Sequence, residues 1–364
     1  MTKARDLANL GAIASSGIGF RNRIINGAMM IDQRYSGGPY LAAGNGIYLV
    51  DRWRTISTIA NKMTYQQNQG SLTPPTGFTA YLGMTATTAD SSGTGWWGVE
   101  QGIEGLNLSD LAYGTSYAQT VTVSFWARAS IAGTYSFSLF SNNGSTTRSI
   151  VQTYTINSAN TWEYKTLTFV GDTSTTMYTN TNQGIAARWD LGTNAGATTS
   201  TLGQWITGNY MRATGSVNWI ATANATFQIT GVQLEKGSTA TSFDYRPYGT
   251  ELALCQRYYQ RWSSTNGSYL SIGSGNCITA GTINRWGFPL SINLRTSPTI
   301  NLVNCVGWDG NVGGAASVAI NYSSTNNIDI DVTTSSMTVG LGHMAKLLIN
   351  GATGGYIETV GTEL

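Results

Sequence analysis

Short runs in which apolar and polar residues alternate recur through most of this chain, and they constrain its fold more than any other feature. In residues 121–128 the valines, Phe125 and Ala127 share one phase, while threonine, serine and arginine share the other. Residues 135–139 repeat the pattern after a turn that contains Gly133. Because successive side chains of a strand point to opposite faces, this alternation predicts half-buried β-strands. We interpret the two runs as adjacent antiparallel strands of a sandwich, and the chain as all-β.

A change of phase marks the run at residues 227–236. Phe227 belongs to one apolar phase and Leu234 to the other, so the alternation slips across Gly231. A glycine at such a slip predicts a β-bulge, which bends a strand at the edge of a sandwich. Further strands are predicted at residues 162–170, 269–272, 283–290, 299–303, 327–332, 337–341 and 347–349.

The length of 364 residues allows two cores, since domains usually run to roughly 100–200 residues. A short helix is predicted at residues 4–10, ahead of a Gly/Ser-rich joint. Pro247 and Gly249 punctuate the end of the first β-rich region, and Thr250 can cap a helix over residues 251–260. The predicted divisions are an N-terminal attachment segment (1–20), a β-sandwich (21–249), a short helical connector (250–261) and a smaller C-terminal β-sandwich (262–364).

Charged residues are scarce, at 10% of the chain against roughly 25% in an average soluble protein. The net charge is +2 and no Lys/Arg cluster is interleaved with aromatic residues, so we expect no nucleic-acid partner. No apolar run reaches the roughly 20 residues of a membrane-spanning helix, and the start of the chain does not read as a signal peptide. We therefore expect no membrane insertion, and assembly in a bacterial cytoplasm followed by release through lysis.

The sequence indicates neither a cofactor nor a metal site. Cys255, Cys277 and Cys305 are widely spaced and are predicted to be reduced, structural thiols. His343 is the single histidine, so any Ser-His-Asp arrangement would have to include it. Residues 93–98, GTGWWG, match the letters of a dinucleotide-binding loop. Their two tryptophans and the missing strand–helix–strand context argue against that function.

Glycan cleavage would require a pair of carboxylates, one as acid and one as base or nucleophile. The tight acidic pairs are Glu100 with Glu104, and Asp329 with Asp331. On a strand each pair would share a face, and apolar neighbours at 328–332 place both aspartates toward solvent. We interpret all four as solvent-facing carboxylates and expect no catalytic residue. A polysaccharide depolymerase of tailspike type is the alternative.

The surplus of aromatic residues, with 11 Trp and 19 Tyr, favours ligand binding. An exposed tryptophan can stack on the C–H face of a sugar while nearby polar groups meet its hydroxyls. Aromatic residues surround the Gly- and Thr-rich loop at 191–204, and another lies in the loop region 307–314. For each of them, a place in the core or in a subunit contact is the alternative. The candidate glycan-binding residues are Trp189, Trp205, Tyr210, Trp219, Trp308 and Asp309.

Five sequence blocks together resemble a module of tail-fibre proteins from phages and prophages, including those of marine and cyanobacterial hosts. The match spans residues 21–261, and residues 262–364 resemble the variable tip domains of such fibres more weakly. The blocks hold strand and linker residues, so no functional site is carried over with them. They are NRIINGAMMIDQR (22–34), DRW (51–53), VTVSFW (121–126), FQITGVQLE (227–235) and RPYGTELALCQRYY (246–259).

The resemblance implies a carbohydrate-binding-like jelly roll over residues 21–249, homotrimeric assembly and a place in the virion tail. It predicts a structural tail-fibre subunit that attaches the virion to host-surface glycan or lipopolysaccharide without catalysis. Its partners would be its own copies, and other tail or baseplate proteins bound through residues 1–20. Besides a depolymerase, the alternatives are a free bacterial lectin-like module and a purely structural tail or baseplate component.

Overall fold

The structure of the chain, a computed structural model, describes residues 21–264, 267–279, 283–308, 313–334 and 344–364. By its internal contacts the chain divides into two units, Met1–Arg246 and Pro247–Leu364. The division falls just before the expected boundary at Gly249 and assigns the predicted connector to the second unit. Four predictions lie outside the described residues: the attachment segment 1–20 with its helix, the strand at 337–341, the surroundings of His343 and the candidate Asp309.

The first unit is a sandwich of two antiparallel sheets, which confirms the predicted all-β sandwich fold. Its strands are β1 (Tyr40–Leu41), β2 (Arg54–Ser57), β3 (Met63–Gln67), β4 (Leu82–Ala86), β5 (Trp97–Glu104), β6 (Val121–Ala129), β7 (Gly133–Asn142), β8 (Thr147–Ile156), β9 (Glu163–Phe169), β10 (Gln183–Asp190), β11 (Thr198–Thr199), β12 (Ile206–Thr207), β13 (Arg212–Ala213) and β14 (Thr226–Lys236). Sheet A has the order β1-β3-β4-β14-β6-β9, and sheet B has the order β12-β8-β7-β10-β5-β2. Strands β11 and β13 form a separate parallel pair.

Strands β6 and β7 lie in opposite sheets, which corrects the prediction that they are paired neighbours. Strand β6 pairs with β9 and β14, whereas β7 pairs with β8 and β10. Their apolar phases meet across the core, where the rings of Phe125 and Phe137 are stacked with centroids 6.2 Å apart. Alternation determines which face of a strand is buried but not which strand lies beside it, so the sequence pattern fits both arrangements.

Gly231 forms the predicted bulge in β14. The register against β6 shifts between Thr230 and Gln233, and Gly231 has a φ of +61°. A Cβ at this position would lie 2.6 Å from the ring of Phe78. Both the backbone conformation and the close approach of the ring therefore require glycine.

The first and last described segments of the first unit are bonded to each other. Asn22 donates from Nδ2 to the carbonyl of Val232 and accepts from the amide of Leu234, both at 3.0 Å. Arg246 donates to the carbonyl of Ile24 at 3.0 Å. We call these contacts between residues 21–27 and 232–246 the terminal junction. Three of the five sequence blocks that resemble tail-fibre modules contribute residues to the terminal junction. In this structure, these blocks join the first and last segments of the unit.

The second unit contains a closed six-stranded barrel and a three-stranded sheet. Its strands are β15 (Arg261–Ser263), β16 (Tyr269–Thr279), β17 (Ile283–Pro289), β18 (Thr299–Val303), β19 (Cys305–Trp308), β20 (Gly313–Ser323), β21 (Asn327–Thr334), β22 (Met344–Asn350) and β23 (Tyr356–Val360). The barrel has the order β16-β17-β21-β20-β19-β22, and the sheet has the order β15-β23-β18. A barrel thus stands where the sequence predicted a smaller sandwich. Strands alternate in both architectures, so alternation does not distinguish them.

Helix α1 (Tyr248–Gln256) begins the second unit, directly after Pro247 rather than after Thr250. The amides of Thr250 and Glu251 donate to the carbonyl of Pro247 at 2.9 and 3.0 Å. Pro247 therefore occupies the cap position that was predicted for Thr250. Short 3-10 helices in the described residues are Gln69–Ser71, Gly105–Asn107, Ser109–Leu111, Ala195–Ala197, Trp219–Ala221 and Gly351–Thr353.

Strand β21 shows the predicted alternation around its two aspartates. Ile328, Ile330 and Val332 are fully buried, while Asp329 and Asp331 lie on the other face and are partly exposed. The three cysteines are buried as thiols, in agreement with the prediction. Within the ranges that the structure describes, no helix has the length and apolarity to span a membrane.

Candidate functional site

A row of charged residues crosses the outer face of sheet B. The strand registers pair Arg54 of β2 with Glu100 of β5, and Glu100 with Arg188 of β10. The sequence neighbours Val99 and Trp189 are fully buried in the core. Because side chains alternate along a strand, the charged row faces the opposite side. Glu100 joins the two arginines, with Oε1 2.6 Å from Arg54 Nε and Oε2 2.7 Å from Arg188 Nε.

A pocket of about 250 Å³ includes part of this row. Its walls combine one aromatic ring and one aliphatic side chain with charged groups, side-chain amides and a hydroxyl. This mixture of apolar surface and a few convergent polar groups is typical of small-ligand sites. The lining residues are Asn45, Ile56, Thr58, Trp96, Glu100, Arg188 and Asn209.

Trp96 owes its place in the pocket to the strand that follows it. Trp97, the first residue of β5, is buried in the core, so alternation directs Trp96 to the other face of sheet B. The amide of Trp96 donates to Thr58 Oγ1 at 2.9 Å, and the amide of Thr58 donates to the Trp96 carbonyl at 3.2 Å. The Trp96 side chain is half-buried, which leaves part of its surface open to a ligand.

The guanidinium of Arg188 is held by three different contacts. Its Nε donates to Glu100, its Nη1 donates to Asn209 Oδ1 at 2.7 Å, and its Cζ lies 3.6 Å from the centre of the Phe140 ring. Burial lowers the pKa of Arg188, and the nearby Glu100 opposes that effect. The arginine is thus a rigid, poorly solvated cation in the pocket wall.

Glu100 is held as a carboxylate. Burial alone would raise the pKa of Glu100, but the charges of Arg188 and Arg54 and their hydrogen bonds hold it below its ordinary value. Both of its oxygens accept from arginine. Glu100 is therefore suited to position Arg188 and unsuited to donate a proton.

Trp189 and Trp219, two of the candidate glycan-binding residues, lie in the core. Neither has exposed surface. The ring of Trp189 packs edge-on against Phe137, with centroids 4.7 Å apart. A sugar can stack only on an exposed ring face, so the prediction that these two tryptophans bind glycan is wrong. They have the alternative role named for them, a place in the core.

Trp205 and Tyr210 are half-buried and do not line the pocket. Trp205 donates from Nε1 to the carbonyl of Val170 at 2.8 Å. Tyr210 directly follows the pocket residue Asn209, and its amide donates to Ser149 Oγ at 2.9 Å. Among the candidates in the first unit, only Tyr210 is a sequence neighbour of a residue that lines the pocket.

Trp308 is 38% exposed at the end of β19, in the barrel of the second unit. It stands opposite Lys346 of β22 rather than within a loop, as the sequence had suggested. The neighbouring candidate Asp309 lies outside the described residues. Trp308 therefore remains a candidate contact, on a different unit from the pocket.

Of the pocket residues the sequence singled out only Glu100, paired with Glu104 as solvent-facing carboxylates, and this is wrong because both are buried. The other pocket residues were missed because strand pairing brings them together. Arg188 and Glu100 are 88 residues apart, and nothing in the local sequence of either indicates the other. The one usable signal was the doublet of Trp96 and Trp97 ahead of a strand, since adjacent side chains must face opposite sides. Among the described residues no cluster of His, Cys, Asp or Glu is arranged to hold a metal ion.

No protein-family model matches the chain, and no curated protein sequence matches it significantly. Similar solved structures include the enzymatically active domain of tailspike protein 4 of bacteriophage CBA120, with 10% identity and a TM-score of 0.32. That match covers 57% of this chain and 22% of the tailspike chain. A family 11 carbohydrate-binding module of Clostridium thermocellum, in complex with a β-1,3-1,4-mixed-linked tetrasaccharide, has 12% identity and a TM-score of 0.28 over 52% of this chain and 91% of its own.

A third such structure is TmCBM61 in complex with β-1,4-galactotriose, with 11% identity and a TM-score of 0.29 over 60% of this chain and 99% of its own. At these scores and identities we infer neither the fold nor the function of this chain from them. The features that bear on function are the pocket and the sequence blocks.

Proposed function

We propose that this chain is a tail-fibre subunit of a phage that attaches the virion to a bacterial surface by binding glycan in the pocket on sheet B. The observation that carries the glycan-binding part is the half-buried ring of Trp96 beside Arg188 and Asn209 in one concave site. The tail-fibre part depends on the resemblance of the five sequence blocks. The proposed subunit binds and does not catalyse.

The composition of the pocket supports a sugar as its ligand. Stacking on an aromatic ring suits the C–H face of a pyranose, and side-chain amides and hydroxyls suit its hydroxyl groups. Asn45, Thr58 and Asn209 supply such groups and are all exposed. At about 250 Å³ the pocket is just below the roughly 300–1,000 Å³ of typical small-molecule sites, which favours a single sugar residue over a long oligosaccharide.

The state of Glu100 supports binding over cleavage. A glycosidase acid needs a raised pKa, whereas the two arginines lower the pKa of Glu100. The second carboxylate of this acidic pair, Glu104, lies four residues further along β5, or about 13 Å at the usual strand rise. That exceeds the roughly 5–9.5 Å between the carboxyl groups of most glycosidases.

The decisive experiment measures glycan binding by the purified full chain and its Trp96→Ala variant. The readout is an array of bacterial lipopolysaccharides and capsular polysaccharides, followed by titration of the best binder. We expect the wild type to bind and Trp96→Ala to lose at least tenfold in affinity. Trp162→Ala is the matched control, because Trp162 is also half-buried in the first unit but donates to the carbonyl of Thr73 at 3.0 Å.

Each other outcome contradicts a defined part of the proposal. Binding that is lost in Trp308→Ala but not in Trp96→Ala would move the site to the second unit. An array without any binding would favour the purely structural tail component. Release of reducing ends from a bound polysaccharide, abolished by Glu100→Gln, would establish the depolymerase instead.

The tail-fibre part needs its own tests. We expect light scattering to give three times the chain mass of 38.8 kDa, and antibodies to label the tail of purified virions. Trimeric assembly would raise the avidity of weak glycan contacts without new chemistry. A monomeric mass, or absence of the chain from virions, would refute this part and leave glycan binding standing.

A further inference from the structure

The charged row on sheet B contains more positive than negative charge: Glu100 and Arg188 line the pocket, and Arg54 lies beside Glu100 outside the lining. Glu100 offers one carboxylate to two guanidinium groups, those of Arg54 and Arg188. The next acidic residue on this face of β10, Asp190, is paired instead with Arg212 at 3.9 Å. The row of three charged residues therefore has a net charge of +1 within the described part of the chain.

Arg188 is the member of the row that can accept a further anion. It is 7% exposed and lines the pocket. Its Nε and Nη1 are engaged with Glu100 and Asn209, and among the described residues none accepts a hydrogen bond from Nη2. A guanidinium presents several N–H groups in a plane and is the side chain best suited to carboxylate recognition.

The surroundings of Arg188 make a second negative charge favourable. A buried cation loses hydration, and one shared carboxylate only partly replaces it. Burial lowers the pKa of Arg188, and the charge of Arg54 lowers it further, while Glu100 acts in the opposite direction. An anionic ligand at Nη2 would relieve the repulsion between the two arginines.

We propose that the pocket selects an acidic sugar, whose carboxylate binds Arg188 while its ring lies against Trp96. This inference rests on the proposed glycan binding and adds the class of ligand to it: a uronic acid, or a residue with a comparable carboxylate substituent. Glu100 acts as a positioning residue for Arg188. The neutral polar groups of Asn45 and Thr58 bind sugar hydroxyls.

The first test compares matched neutral and uronate-containing polysaccharides as ligands of the full-length wild type. We expect at least tenfold tighter binding of the uronate-containing member of each pair at low ionic strength. The preference should shrink only modestly as salt is added, because salt screens a poorly solvated cation such as Arg188 much less than an exposed one. Inorganic phosphate is included as a competitor to distinguish a sugar site from a general anion site.

The second test neutralises the surplus charge without removing a buried residue. Asn209→Asp keeps the size of the side chain and its acceptor for Arg188, and it adds one negative charge at the exposed rim. We expect it to abolish the preference for uronates, because the new carboxylate occupies the place beside Arg188 that the ligand carboxylate would take. Asn224→Asp is the matched control, because it makes the same charge change at an exposed turn before β14 of sheet A.

The outcomes separate this inference from the proposed function. Equal affinity for neutral and uronate glycans would overturn acid selection and leave glycan binding intact. A preference that survives in Asn209→Asp would place acid recognition away from Arg188. Displacement by inorganic phosphate at the same concentration as by uronate, with no effect of Trp96→Ala, would replace the sugar site with an anion site. Binding of neither glycan class would refute the proposed function itself.

Discussion

Asn22 and Leu234 are 212 residues apart in the chain, and the amide of Leu234 donates to Asn22 Oδ1 at 3.0 Å. The same side chain donates to the carbonyl of Val232 and is 4% exposed. Its Oδ1 also accepts from the amide of Ile24 at 2.9 Å, so an alanine here would take a partner from three buried backbone groups, at a cost of about 1–3 kcal/mol each. We therefore expect Asn22→Ala to lower the free energy of unfolding of the first unit by about 3 kcal/mol.

Urea denaturation followed by tryptophan fluorescence measures that loss. Asn107→Ala is the control, because Asn107 is exposed in the same unit and its replacement should change stability by less than about 0.5 kcal/mol. A change below about 1 kcal/mol in Asn22→Ala would mean that the terminal junction contributes little to stability.

Gly231 and Gly215 allow backbone strain to be separated from a steric clash. Both have positive φ, but a Cβ at Gly231 would lie 2.6 Å from Phe78, whereas nothing lies within 4 Å of a Cβ at Gly215. Gly215→Ala should therefore cost about 1 kcal/mol, for the left-handed conformation alone. Gly231→Ala should cost a further 1–3 kcal/mol or so, because the ring must move. Equal losses in the free energy of unfolding of the two variants, measured by chemical denaturation, would show that the Phe78 ring moves aside without an energetic cost.

Glu163 should titrate far below an ordinary glutamate. Burial alone would raise the pKa of Glu163, but hydrogen bonds from Lys165, Ser158 and Asn157 lower it to about 2. A carboxyl group whose pKa is lower in the folded state stabilises the fold above its unfolded value, and that contribution is lost as the pH falls through the folded value. We expect this part of the stability to disappear between about pH 4.5 and pH 2.

Carbon-13 NMR of the side-chain carboxyl group measures this pKa directly. The Glu163→Gln variant should show less acid destabilisation over the same range, because its side chain has no proton to bind. A midpoint near the ordinary 4.5 would contradict the hydrogen-bond arrangement at the β8–β9 turn.

Two ion pairs with different burial should respond differently to neutralisation. The Arg285–Asp331 pair has exposed side chains (41% and 23%), whereas Arg148 and Asp172 are 13% and 3% exposed. Breaking a buried pair costs roughly 3–5 kcal/mol, whereas solvent screening leaves an exposed pair with little effect on stability. Chemical denaturation should therefore show a small loss for Asp331→Asn and a larger one for Asp172→Asn. Similar losses of stability in the two variants would contradict the expectation that burial makes an ion pair costlier to break.

The sequence predicted local features of the fold and missed the long-range ones. The buried phase around Phe125, the bulge at Gly231 and the outward faces of Asp329 and Asp331 each follow from side-chain period or backbone freedom within a few residues. The partner of β6 and the closure of the barrel depend on pairings between distant strands, which alternation does not encode.

The candidate site could not be predicted from short stretches of sequence for the same reason. Its charged residues, Glu100 and Arg188, meet through the register of β5 and β10, and Asn209 comes from a loop further along the chain. The large rings of Trp189 and Trp219 looked like ligand contacts but fill the core, since size and aromatic character suit both places.

The terminal junction also sets a path for mechanical load. The amide of Arg21 donates to Asp244 at 3.0 Å, close to the bond from Arg246 to the carbonyl of Ile24. A pull applied at residues 21 and 246 would act on these few bonds and would also reach β5 of sheet B, because the amide and the carbonyl of Ile25 are each bonded to the side chain of Gln101 at 2.8 Å. Tension between the two ends of the unit would thus be shared between the junction and the strand that carries Glu100 of the pocket.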